Sequence, residues 1–150
     1  MLFRTHLTFG AFIGVLLFVL YPNQINFLFL IGIAMGSALP DMDTMGSWIG
    51  RRLKHFSRVI STIFGHRAIL HSIAIPILVF FLLEENQFWA GFLFGYLGHI
   101  FMDALTKQGV KPLWPFGMKI QGPITTGSLW ETVLLFLLAG LSISILMLRV

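Results

Sequence analysis

His99 and Asp103 stand four residues apart in Gly98-His99-Ile100-Phe101-Met102-Asp103, which puts them about 40° apart around a helix and on one face. An imidazole nitrogen and a carboxylate oxygen so placed can share a divalent cation. Donors of the same kind recur along the chain: His6, Asp41 and Asp43 in Leu39-Pro40-Asp41-Met42-Asp43, His66 and His71 in Gly65-His66-Arg67-Ala68-Ile69-Leu70-His71, and Glu131. Asp41 and Asp43 are too close for one helical face, but a turn or helix start can aim both at one ion. His66 and His71 lie about 140° apart if both are helical, which favours a loop position for His66 and a first-turn position for His71. Taken singly, each residue has a plainer role. A histidine at a helix end is usually a polar boundary residue, an aspartate there serves as a cap about as often as not, and Glu131 suits the positive end of a helix dipole.

The elements that carry these donors are apolar. Of the 150 residues, 57% are hydrophobic and 11% charged, and the mean hydropathy is +0.87. Soluble domains carry about 25% charged residues, so a water-facing surface cannot be built from this chain, and disorder is excluded by the same composition. The absence of cysteine removes disulfides, thiolate metal sites and cysteine nucleophiles. The expected fold is all-α, a single domain over residues 1–150, built as a membrane bundle of about five short transmembrane helices. The spans are Leu7–Tyr21, Ile25–Leu39, Ala68–Leu83, Phe88–Leu105 and Leu129–Leu148. Glycines four apart at Gly10/Gly14, Gly32/Gly36 and Gly91/Gly95 would let helix backbones approach closely. The first span has no small-x-small cleavage site before Tyr21-Pro22 and reads as a retained helix rather than a signal peptide.

Five crossings put nine of the ten Lys and Arg residues on one side and leave Arg149 on the other. That bias places the N-terminus and the intervening loops in the cytoplasm. It also brings His6, Asp41, Asp43, His66, His71, His99, Asp103 and Glu131 to the same end of the bundle. Four carboxylates crowded at a low-dielectric boundary repel one another, and divalent cations remove that cost. Mixed imidazole and carboxylate donors suit zinc first, then manganese or iron, rather than calcium. Two or three ions would balance the charge.

The same residues carry a family resemblance. Thr5-His6 with Gly10, Leu39-Pro40-Asp41-Met42-Asp43, Gly65-His66-Arg67 with His71-Ser72, and Gly98-His99 to Asp103 with Thr106, Gly109 and Leu113-Trp114-Pro115-Phe116 resemble the YdjM-like family. That family is named for a LexA-regulated inner-membrane protein, and its members are described as membrane-bound metal-dependent hydrolases. The pieces run in the family's order from residue 5 to about 130. Ala68 and Leu70 stand where the family pattern has Gly and Thr, a departure that touches no candidate ligand. The family is remotely similar to zinc-dependent phospholipase C, which implies a phosphoesterase reaction class.

The expected function is therefore a metal-dependent hydrolase of a lipid or amphiphilic phosphoester at the cytoplasmic face of the cell inner membrane. Asp41, Asp43 and Asp103 are the catalytic candidates, one of them as general base. Arg67, beside His66, is a candidate phosphate binder, joined by Lys107 and by Trp114 at headgroup level. Arg51–Ile60 alternates basic and apolar residues and suits an amphipathic helix on anionic headgroups. Membrane lipid explains the basic balance more simply than nucleic acid does. The rival expectations are an ion- or proton-coupled transporter, which would bind near the bilayer midplane, and a non-catalytic regulator with a closed structural metal site.

Overall fold

The computed structural model describes residues 1–64, 69–83 and 86–149, with only the backbone at Ile60 and Phe64. Six α-helices form: α1 Phe3–Leu20, α2 Phe27–Ala38, α3 Lys54–Phe64, α4 Ala74–Leu82, α5 Gln87–Ala104 and α6 Leu129–Met147. The all-α expectation holds, and no strand occurs among the described residues.

Helix starts follow the local sequence. The Asn26 side chain accepts from the Phe29 N–H, Asn86 from those of Phe88 and Trp89, and Ser128 from that of Glu131, each satisfying otherwise orphaned donors. Proline sets two other boundaries. Pro40 has no N–H to continue the α2 ladder, so the chain tightens into a 3-10 turn at Leu39–Asp43. Pro76 fits only the first turn of α4, which leaves His71 in a separate 3-10 turn, Ile69–His71. As a result α2 has 12 residues and α4 has 9, shorter than the spans expected from sequence. By length and composition, α1 and α6 are the two helices among the described residues able to cross a membrane.

The closest packing is between α2 and α5. A Cβ on Gly32 or Gly36 would run into the carbonyls of Phe88 or Phe92, and one on Gly91 or Gly95 into those of Phe29 or Ile33. The glycine pairs therefore interlock backbone to backbone. Ser37, one residue beyond Gly36, is thereby brought to α5, where its hydroxyl approaches the Gly95 carbonyl at 3.5 Å.

Burial is inverted relative to a soluble protein. Twelve polar or charged side chains are buried, against nine large apolar ones, among the described residues. Phe27, Phe81, Trp130 and Phe136 instead lie more than two-thirds exposed. Burying charge is expensive and exposing so much aromatic surface to water equally so, so this arrangement suits a lipid surround.

Candidate metal centre

The buried polar groups gather where α2 and α5 end and where α1, α6 and the turn before α4 begin. His6 comes from the first turns of α1, Asp41 and Asp43 from the 3-10 turn after α2, His71 from the turn before α4, and His99 and Asp103 from the last turns of α5. His6 Nε2 lies 3.3 Å from Asp103 Oδ1, and His71 Nε2 lies 3.4 Å from Asp103 Oδ2. His99 Nε2 is 3.9 Å from both Asp103 Oδ2 and Asp41 Oδ1. Two triads result, His6–Asp41–His99 and His71–His99–Asp103, each with its donor atoms within 4.8 Å of one another. They share His99.

Two of the three imidazoles are oriented from behind. His99 Nδ1 donates to the Ser37 carbonyl at 2.7 Å, and His71 Nδ1 donates to Asp43 Oδ2 at 3.1 Å. With Nδ1 carrying the proton, each Nε2 turns a lone pair inward. Neither of those Nε2 atoms, nor either ring nitrogen of His6, is aligned for a hydrogen bond among the described residues. The His6 ring stacks on His99, with centroids 3.6 Å apart and planes 10° apart. The amino group of Met1 also reaches Asp103 Oδ1. Burial, reinforced by the nearby Asp103 carboxylate, pushes the Asp41 carboxyl above its usual range.

This donor set fits a metal. Zinc–nitrogen bonds of about 2.0–2.1 Å in tetrahedral geometry put ligand atoms roughly 3.3 Å apart, close to the observed 3.3 and 3.4 Å separations. Inward-facing Nε2 lone pairs without hydrogen bonds, backed by a carbonyl or carboxylate, are the usual setting of ligating histidines.

The expected residues divide on this geometry. His6, Asp41, His71, His99 and Asp103 come together. Asp43 stands behind His71 rather than in either triad, and its other oxygen accepts from the Thr44 hydroxyl at 3.0 Å. Glu131 lies apart from the triads. Its Oε1 accepts from the Leu2 N–H at 2.6 Å and the Thr5 hydroxyl at 2.8 Å, and its Oε2 from the Gly127 N–H at 2.6 Å, so it clamps the start of α1 to the start of α6. His66 and Arg67 lie outside the described residues. Lys107 is exposed and Trp114 half-buried. Neither is among the residues lining the cleft beside Asp41, whose walls include Arg4, Trp48, Arg51 and Gln108. The Ser37 carbonyl was missed by sequence reasoning because a backbone acceptor leaves no side-chain signal. Arg4 did have one, standing a single helical turn before the apolar stripe of α1.

The sequence pattern of the family described as YdjM inner membrane protein matches residues 1–149. Over 117 residues the chain is 33% identical to the uncharacterized protein YvsG of Bacillus subtilis, covering 74% of this chain and 71% of that protein. It is 39% identical over 95 residues to the inner membrane protein YdjM of Escherichia coli, and equally to that of Shigella flexneri. Those alignments cover 57% of this chain and 48% of each relative, so the match spans about half of their length. No solved structure matches.

Proposed function

The chain belongs to the YdjM inner membrane protein family, and from that premise we propose that it is a membrane-bound, metal-dependent hydrolase of a lipid or amphiphilic phosphoester. The observation that carries this reading is the convergence of three imidazole Nε2 atoms on two buried carboxylates, Asp41 and Asp103. His6, Asp41, His71, His99 and Asp103 would hold one or two ions, the single His99 Nε2 lone pair serving only one of them, with zinc favoured by the donor types. A divalent ion held there supplies Lewis acidity, polarising a phosphoryl oxygen and lowering the pKa of water.

The chain's own groups do the rest. Ser37 and Asp43 hold the His99 and His71 rings in the tautomer that leaves Nε2 available. Asp41 borders both the donor cluster and the open cleft, which makes it the carboxylate placed to take a proton from water entering there. Opening through Asp41 also favours a catalytic over a closed structural site. The five-crossing bundle with a cytoplasmic N-terminus belongs to the same proposal. α1, α4 and α6 begin at the site while α2 and α5 end there, the alternation that successive crossings require.

His99→Ala and Asp103→Ala are expected to lose bound metal, measured by elemental analysis of purified protein, together with phosphoesterase turnover that a chelator abolishes in the parent. Full metal content and activity in either variant would overturn the assignment.

A further inference from the structure

The seam between α1 and α2 carries two cavities in series, and the site described above uses only the edge of one. At the donor end lies the cleft of about 860 Å³, with Asp41 in its wall and the guanidinium-bearing Arg4 and Arg51 beside it. Trp48 on its rim is held rigidly. Phe3 stacks on the indole at 4.8 Å, and the Arg52 guanidinium lies over the ring at 3.5 Å. Further along the seam runs a groove of about 440 Å³ between α1 and α2, closed at its far end by Phe18 and Leu146. Both volumes fall in the range of small-molecule sites.

The two cavities follow one another along one face of α1. On α1 the groove is lined by Leu7, Ala11, Val15 and Phe18, and Arg4 precedes Leu7 by three residues on the same face. On α2 the lining residues are Leu30, Ile33 and Ala34, and Asp41 follows in the 3-10 turn beyond that helix. The groove is deep because α1 has Gly14 at its floor, where an added Cβ would come within 3.1 Å of Leu30 and 3.4 Å of Ile33. It is open because Ala11 and Ala34, on opposite walls, are exposed and short. An apolar groove continued on the α1 face by Arg4, with Arg51 lining the same cleft as Arg4, has the polarity profile of an anionic amphiphile.

We propose that the α1–α2 seam binds a phospholipid-like anion, with its phosphate between Arg4 and Arg51 and one hydrocarbon chain along the groove. Paired guanidinium hydrogen bonds suit a phosphate better than a single point charge does. The apolar groove removes hydrocarbon surface from contact with headgroups and water, and holds the ester next to Asp41. This assignment names the substrate class for the hydrolase reading and rests on that reading for its reaction, though its binding can be measured separately. Arg149 marks the opposite end of α1, but its guanidinium is already engaged by the Phe18 carbonyl at 3.1 Å and lies 4.6 Å from the Phe18 ring centroid.

The test uses the full chain, zinc-loaded, in phosphatidylcholine nanodiscs, with retained lipid counted by native mass spectrometry. The probe is a non-hydrolysable phosphonate analogue of dioleoyl phosphatidic acid, compared with dioleoylglycerol and with a dibutyryl phosphonate. The parent is expected to retain the long-chain phosphonate at least tenfold over the diacylglycerol. Arg4→Gln with Arg51→Gln should abolish that preference, and Arg149→Gln should leave it unchanged. Ala34→Phe, and independently Ala11→Phe, should lower long-chain retention at least tenfold while sparing the dibutyryl probe. Equal retention of phosphonate and diacylglycerol by the parent, or unchanged retention in both groove variants, would overturn the proposal. Phosphonate retention without cleavage of phosphatidic acid removes the hydrolase reading and leaves the seam standing. Cleavage indifferent to Arg4→Gln with Arg51→Gln does the reverse.

Discussion

Asp43 and Asp103 are the same chemical group on neighbouring elements, yet their surroundings give them different tasks. Asp103 meets three imidazole Nε2 atoms, whereas among the described residues Asp43 meets one imidazole, at the far nitrogen of His71. Removing a ligand and removing the residue that orients a ligand have different costs. Asp43→Asn is therefore expected to keep its metal but bind it about 10–100-fold more weakly, as read by competition with a chromogenic chelator. Asp103→Asn should fail to retain metal at all. Glu131 makes a third case. With both oxygens occupied by three donors, Glu131→Gln turns an amide N–H against a backbone N–H and loses charge-assisted hydrogen bonds. A loss of about 1.5–3 kcal/mol of stability is expected, with metal stoichiometry unchanged, and the pairing of a detergent-solution melt with elemental analysis reads both. Sequence spacing was enough to single out His99 and Asp103. It could not separate Asp41 from Asp43, because two residues apart in a turn says nothing about which carboxylate faces the ion.

At the scale of elements, the interlocked glycines of α2 and α5 set where the site forms. They bring Ser37 to α5, and the Ser37 carbonyl then fixes the His99 ring. A methyl group at Gly36 would meet the Phe92 carbonyl, a rigid backbone atom that cannot swing aside. Gly36→Ala is expected to cost about 1–3 kcal/mol and to weaken metal binding as well, because the two helices must part. Gly140 on α6 has nothing within 4 Å of an added Cβ. Gly140→Ala should therefore be neutral or stabilise by roughly 0.5–1 kcal/mol through helix propensity, with metal binding unaffected. Thermal melts of the two variants side by side check the contrast. The small-residue spacing was visible in the sequence, but which pairs face each other was not. The amphipathic segment expected at Arg51–Ile60 forms as α3, Lys54–Phe64, with Phe56, Val59 and Ile63 exposed on it. It begins three residues later than expected because the preceding chain is taken up in turns, pinned where the Ser47 hydroxyl donates to the Asp41 carbonyl at 2.6 Å.

For the whole molecule, the exchange of polar interior for apolar exterior ties the site to the bilayer. Seating seven buried ionisable side chains among short helices costs too much unless each is paired or shares a cation, and the pairing draws on elements from both halves of the chain. The absence of cysteine allows a direct test of the proposed crossings. Single cysteines replacing Asn23, between α1 and α2, and Met45, after the Asp41 turn, are expected to react with a membrane-impermeant maleimide from opposite faces. Met45→Cys should label only from the cytoplasmic side. Labelling of both from one side would overturn the five-crossing arrangement while leaving the proposed metal centre untouched.

The sequence by itself determined that the chain is helical and apolar, and which residue types could bind a metal, because composition and helical periodicity are local properties. It also carried the family resemblance, since that depends on short motifs in order. Only the tertiary structure decided that Asp43 orients while Asp103 is met by three imidazoles, that Glu131 clamps two helix starts, and that Arg4 and Arg51 border one cleft. Those assignments depend on distances between residues tens of positions apart, which close helix packing sets and one-dimensional spacing cannot encode.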